Sequence, residues 1–599
     1  MKTKLLAVLG TVVMLISLNA CNKDFLDTVS QEEFTDEAVW SDPALVETFL
    51  NQIYFRLYEP LTDGRGTANI VDEGHYRGNS ASTQFNNSLS TQDNLYAWGY
   101  QRYLVWNELY KSIRYANIFF SKVEEVPFTG EINDGKSDKD RMTGEAHFLR
   151  AFMYHYLVAL YGGVPLVTEA YDLNSEFMVP RNSYAECIDF IVAECDKAAA
   201  LLPEAHSGAS KGRATKGAAL ALKSRVLLYA ASDLHSPNEV ITAFKDPALL
   251  GYTDNEQQVR WQKAKDAAKE VMDLGIYELH KAEPNEGDSI AANLTEIFLT
   301  NNTTEDIMVK YFVTVMDQRW GLYTSPNGYY GWGVNAPIAN FVDAFQMSDG
   351  TAFNWNNPEH AANPYANREP RFYATIFYDG ASWRQRPADA QGLDPNNRLQ
   401  TGVYKRWDAS NNKEYETYGI DTRNGPIENW NGSYTGYYCR KYIDPNVNVQ
   451  YIRQSVTWRF FRYAEVLLNY AEACIELGQE DQARQYINIV RKRAGLPATT
   501  MSGQELKNIY RNERRVELAF EEHRFFDVRR WMIGPKAYSP AFQAKVVYPL
   551  NPDKTTSATP KVTHVKFEDR SWNDKSYFFP IFRDEMNKNS ELIQNPGYE

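Results

Sequence analysis

The chain has 599 residues, 43% hydrophobic and 23% charged, the proportions of a folded protein rather than a disordered one. Its formal net charge of −14 argues against nucleic acid as a partner and against broad adsorption to anionic lipid, since both need a field of Lys and Arg. The 13 Trp, 39 Tyr and 30 Phe supply a large core, yet part of the Trp and Tyr falls in Gly- and Asn-rich stretches that do not pattern as core.

The N-terminus is basic at Lys2 and Lys4, apolar over 5–18, and small just before Cys21, the layout of a secretory leader. The apolar run is shorter than the about 20 residues that a membrane span requires. Residues 18–21, LNAC, resemble a bacterial lipobox, which implies removal of 1–20 and a diacylglycerol thioether on Cys21. Several acyl chains on one residue give a stable membrane anchor. Loss of Lys2 and Lys4 leaves the mature chain more acidic still. Residues 21–40 are polar and read as a lipidated tether.

Beyond the tether, Leu45, Phe49, Ile53 and Leu57 lie four apart and place a helix over 44–58. Further helices are expected over 104–123, over 141–161 up to Gly162-Gly163, over 184–202 up to Pro203, over 215–232, and over 260–274 up to Gly275. Residues 281–454 are rich in Asn, Gly, Pro, Tyr and Trp and read as a loop-dominated ligand region with small strands such as 371–378. Helices return over 456–477, 480–494 and 503–531, and 533–599 reads as irregular. Ala471, Gly478, Ala483 and Ile487 have the spacing of a tetratricopeptide repeat, in which small residues let paired helices approach and Gly frees the turn; Ala264, Ala268 and Val271 echo it. The expected fold is therefore mainly α. Helix pairs over 41–280 and 455–532 form a tetratricopeptide-like scaffold around a large loop-rich insertion that carries short strands. Of the four further cysteines, Cys187 and Cys195 lie eight apart on one helix, roughly 12 Å along its axis and too far for a disulfide. With Cys439 and Cys474 they read as buried free thiols.

Residues 130–137, GEINDGKS, match the phosphate-loop pattern, but a helix precedes them and Glu131 and Asp134 would repel phosphate, so the stretch reads as a surface turn. Residues 331–336, GWGVNA, match a dinucleotide pattern only nominally, because bulky Trp332 stands where backbone must approach pyrophosphate. No HExxH, GxSxG or DxDxDG motif occurs, and His147 and His155 read as packed. No cofactor is called for, and a structural metal such as calcium in a loop is left open, as is a glycosidase pair among the many carboxylates. Aromatic and polar residues cluster in two loops. One, over 62–100, holds Arg65, Asn79, Tyr96 and Trp98; the other, over 317–335, holds Trp320, Tyr323, Tyr329, Tyr330 and Trp332. Sugar rings present C–H faces that stack on Trp and Tyr and hydroxyl edges that suit Asn and Arg, so these nine residues are the candidate ligand contacts. The competing reading is that they pin long loops to the scaffold.

Several long stretches resemble one family, the SusD/RagB nutrient-binding lipoproteins of the Bacteroidetes. They are DFLD at 24–27, EAHFLRAFMYHYLVALYGGVPL at 145–166, REPRF at 368–372, FRYAEVLLNYAEA at 461–473, RKRAGL at 491–496, ERRVELAFEEHRFFDVRRW at 513–531 and NPGY at 595–598. The resemblance implies one SusD-like domain over 41–599 that is not an enzyme. It further implies a cell-surface protein on the outer membrane, held by its lipid alone, that captures oligosaccharides and delivers them to a SusC-like TonB-dependent transporter. It also implies that Arg150, Arg462, Glu465, Glu513, Arg524 and Arg530 form ion pairs in the scaffold. Other members take peptides, and a peptide receptor, a surface glycosidase and a protein-interaction module stand as alternatives.

Overall fold

A computed structural model describes residues 36–62, 64–77, 80–95, 104–171, 178–313 and 318–599. Ten helices carry the scaffold: α1 (Pro43–Phe55), α2 (Trp106–Lys122), α3 (Asp138–Tyr161), α4 (Tyr184–Leu201), α5 (Lys216–Ala231), α6 (Gln257–Met272), α7 (Tyr463–Glu476), α8 (Glu480–Arg493), α9 (Gly503–Glu517) and α10 (Arg524–Arg530). Their starts are written locally. Asp42 caps α1 ahead of Pro43, Ser137 and Thr215 cap α3 and α5, and Ser183 with Glu186 forms a capping box on α4. Helices α2 to α8 each pack on the next in series, and α6 lies directly against α7 although the whole insertion separates them in sequence. Ala471, Ala483 and Ile487 are fully buried where α7 meets α8, and Gly478 turns between them at φ 71°. Helices α3 and α5 are covered on nearly every side, so the core runs along the middle of the stack.

The strands join distant stretches: β1 (Gly74–Tyr76), β2 (Asp306–Lys310), β3 (Asn335–Pro337), β4 (Val403–Asp408), β5 (Lys413–Tyr418), β6 (Trp458–Arg462), β7 (Ala541–Tyr548) and β8 (Lys561–Glu568). β1 pairs antiparallel with β3, and β2 with β6. One sheet has the order β8-β7-β4-β5, with β7 parallel to β4, and so ties the C-terminal segment to the insertion. Among the described residues no helix is long and apolar enough to cross a membrane.

Four expectations are corrected. The helix expected from 456 begins only at Tyr463, because the continuous apolar run before it is the fully buried strand β6; short apolar runs do not distinguish strand from helix. The strand expected over 371–378 is mostly the short helix Pro370–Thr375, started by Pro at its first position. The helix expected over 503–531 breaks between α9 and α10, where Phe520 and Glu522 take φ of 57° and 67°. The C-terminal segment is not wholly irregular, since it contains β7 and β8. The phosphate-loop look-alike is an exposed hairpin turning at Asp134 and Gly135, both with positive φ. The four cysteines are buried and free.

Buried ion pairs lock these parts together. Glu517 of α9 accepts from Arg371 of the insertion, from Arg462 of β6 and from Arg493 of α8. Arg462 also reaches Glu305 and Glu521, and Glu513 holds Arg371 and Arg491. Arg150 pairs with Glu194, Glu465 with Arg225 and Arg524 with Asp72, so all six residues named from the sequence are in buried pairs. Glu472 of α7 receives both Nη atoms of Arg530, the Trp531 indole N–H and the Tyr510 hydroxyl at 2.6–2.7 Å. Burial pushes the Glu472 carboxyl up, but Arg530 and these donors outweigh it and hold the group down at about 2.

Because that folded value lies below the ordinary 4.5, the stabilisation from Glu472 is fully present above pH 4.5 and is lost as pH falls toward 2. Urea midpoints measured from pH 7 to pH 2 are expected to fall through that window. Glu472→Gln is expected to cost about 3 kcal/mol at pH 7 by leaving a buried guanidinium under-compensated, and to flatten the acid limb.

Candidate ligand-binding face

Three loop stretches, 64–77, 318–337 and 419–438, are brought together by the scaffold. Pairing of β1 with β3 is extended by the Arg77 N–H donating to Val334 O. Asn335 accepts from Asn69 and donates to Thr324 and to Gly64 O. Asn327 donates to three carbonyls, Ile420, Thr422 and Ile427, and accepts from the Tyr438 hydroxyl. These buried amides make the loops a fixed frame. Gly333, at φ 50°, lies so near the next loop that a Cβ there would sit 2.5 Å from Asn431 O.

On this frame the candidate residues divide. Trp320 is 1% exposed, its indole N–H donates to Lys441 O at 3.1 Å, and Tyr442 meets it edge to face. Tyr329 is fully buried, with its hydroxyl on Arg384 O and the Arg386 guanidinium 4.1 Å over its ring. Neither offers a face to a ligand, which corrects the expectation for both: their polar atoms are used inside, and they pin the loops. Arg65 is half-buried and donates to the Tyr76 hydroxyl at 3.2 Å, so it too is built into the frame. Trp332 is 38% exposed, with Tyr323, half-buried, 4.9 Å away at 49°. Tyr330, half-buried at φ 59°, bonds Asp389, which together with partial burial pushes its phenol up to about 12. Asn79, Tyr96, Trp98 and Cys21 lie outside the described residues.

The richest exposed aromatics were not singled out in the sequence. Trp430 is 63% exposed and Tyr434 38%, and the loop that carries them touches Gly333, next to Trp332. Tyr451, 76% exposed, lies close enough to Tyr330 to act on its phenol. The Arg423 guanidinium stacks 3.9 Å over Tyr434, and Arg77 holds the same loop through Trp430 O and Asn431. The sequence carries the signal: NWNGSYTG at 429–436 has the same mix of aromatics with Asn, Gly and Ser as the loops over 62–100 and 317–335. Among the described residues no group of three His, Cys, Asp or Glu side chains could hold a metal ion.

A stacked helix-pair scaffold presenting exposed rings on interlocked loops defines the class. Comparison with known proteins then places the chain within it. The SusD family pattern matches residues 295–598, and a second, described as starch-binding and associating with the outer membrane, matches 24–228. The chain belongs to the SusD family. A SusD-like protein of Formosa agariphila is 23% identical over 563 residues, covering 90% of this chain and 95% of that one. The crystal structure of a SusD-like protein from Bacteroides fragilis is 29% identical, covers 94% of this chain and 99% of its own, and superposes with a TM-score of 0.73. A SusD-like carbohydrate binding protein of the same species shares the fold at 24% identity and TM-score 0.69, over 93% of this chain and all of its own.

The division between frame and face has a direct stability consequence. Trp320→Ala is expected to cost about 3–5 kcal/mol by opening a cavity and orphaning Lys441 O. Trp332→Ala should change stability by only on the order of 0.5 kcal/mol. Thermal denaturation of the two variants side by side checks this.

Proposed function

We propose that this protein binds oligosaccharides on the face made by Trp332, Trp430 and Tyr434, with Tyr323 and Tyr330 beside them, and is not an enzyme. The observation that carries the reading is the pair of exposed indoles held by loops that touch at Gly333 and Asn431. Exposed Trp is unfavourable in water unless a partner covers it, and flat rings suit the C–H faces of sugars. The family supports a carbohydrate ligand, since the pattern matching 24–228 is described as starch-binding. Each stacked ring adds on the order of 1 kcal/mol, so micromolar to millimolar affinity is expected, weak enough for release.

The carboxyls that burial pushes up toward acid-catalyst values are already engaged or enclosed. Glu73, at about 8, is fully buried; Asp379, at about 6, accepts from Thr401 and Tyr548; Asp343, at about 6, accepts from the Trp355 indole. Enclosed or bonded in this way, these three are not free to serve as the acid of a glycosidase pair, which supports the non-catalytic reading. In our reading the protein sits on the outer membrane by its Cys21 lipid and passes ligand to a SusC-like TonB-dependent transporter.

Affinity electrophoresis in gels containing neutral and charged polysaccharides, followed by calorimetry on the best ligand, tests the site. Trp332→Ala and Trp430→Ala are each expected to weaken binding about tenfold; wild-type affinity in both variants would refute it. For the anchor, Cys21→Ala should abolish palmitate labelling and move the protein to the aqueous phase of a detergent partition, whereas persistent labelling would remove Cys21 from the account.

A further inference from the structure

We infer that Arg77 and Arg423 form an oxyanion subsite on the aromatic face, which selects glycans bearing a carboxylate or a sulfate ester. This rests on the glycan reading above and names its substrate class. The two guanidiniums converge on one carbonyl: Nη1 of Arg77 and Nη1 of Arg423, the latter at 3.3 Å, both donate to Trp430 O. Two like charges this close repel, and burial together with Arg423 lowers the proton affinity of Arg77. Some buried guanidiniums of this protein are answered by carboxylates, as Arg371 is by Glu369, Glu513 and Glu517 and Arg386 by Asp394 and Asp421, and others, such as Arg368, by carbonyl oxygens alone. Among the described residues neither Arg77 nor Arg423 has an acidic partner.

The neighbouring carboxylates are turned elsewhere. Glu428, on the same loop, accepts from Asn431 Nδ2 at 2.9 Å, and Glu568 is held by His75 and Arg570. Arg423 uses only Nη1 on the loop carbonyls of Trp430 and Gly432, and its plane lies over the 38%-exposed ring of Tyr434. A sugar stacked on the exposed Trp430 ring therefore has two guanidiniums without a carboxylate partner beside it: Arg77, with Nη1 on Trp430 O and Nη2 on Asn431, supplies positive charge, and Arg423, with only Nη1 engaged, supplies the donors for a charge-assisted pair with carboxylate or sulfate.

Matched polymers supply the test: polygalacturonate against its carboxyl-reduced galactan, and dextran sulfate against dextran, in affinity gels and calorimetry. Wild type is expected to hold at least one charged polymer at least tenfold more tightly than its neutral counterpart, and to lose that preference at 0.5 M NaCl. The pair that shows the preference tells uronate from sulfate. Arg423→Gln and Arg77→Gln should each remove about tenfold of affinity for the charged polymer with unchanged circular dichroism, while Arg423→Lys keeps part of it. Equal binding of charged and neutral members, retention of neither charged polymer, or glutamine variants as good as wild type would overturn the subsite. Should Trp332→Ala still weaken binding to a neutral glycan about tenfold in that case, the general glycan reading survives without it.

Discussion

Glu517 accepts from three arginines in a space closed to water, and each arginine comes from a different part of the chain: Arg371 from the insertion, Arg462 from the strand leading into α7, Arg493 from the end of α8. Burial alone would push its carboxyl up; the three guanidiniums outweigh that and hold it well below the usual range. Removal of any member leaves the remaining buried charges less well compensated, so each contact reinforces the others. A carboxylate placed at the end of α9 thus decides where the insertion sits on the helices. The surrounding pairs extend the same constraint, through Glu521 to Lys441, which itself donates to Ala519 O.

The proposed ligand face inherits its geometry from this core by short steps. Asp72 is clamped by Arg524 of α10 and Arg515 of α9, and β1 begins two residues later, at Gly74. β1 fixes β3, and β3 follows the turn that carries Trp332. Lys441, tied to Glu521, gives the carbonyl that receives the Trp320 indole at the other end of that loop. A buried Trp at one end of the loop and an exposed Trp at the other are one device, since the first keeps the second in place.

How much of this could be read from sequence follows from the range of each interaction. Helix α7 with its partner α8 was legible because Ala471, Gly478, Ala483 and Ile487 state the pairing within one short stretch. The ion-pair residues were legible through long family-like runs, but their partners were not, since Arg371 and Glu517 meet across the fold and nothing local announces it. β6 was misread because WRFFR is buried on both faces and shows no period. Trp320 and Trp332 sit twelve residues apart in equally Gly-rich sequence, and composition does not say which indole turns inward; that depends on Lys441, far along the chain. Trp430 lies in a stretch of the same composition as the two candidate loops, so its exposure is legible in kind but not in position.

The loops carry the rings, yet loops as long as these would ordinarily have to be ordered by the ligand, at a cost of roughly 0.5–1.5 kcal/mol for each side chain fixed. Here the ordering is done beforehand. Asn327 satisfies three carbonyls of the neighbouring loop, Asn335 joins the first stretch to the second, and Gly333 lets the second rest on the third. On the proposed function, a ligand that gains on the order of 1 kcal/mol per ring would then be held without moving backbone, and released without the loops collapsing. Rigidity below and weak stacking above are therefore complementary requirements: a softer frame would demand tighter contacts, and tighter contacts would hinder release.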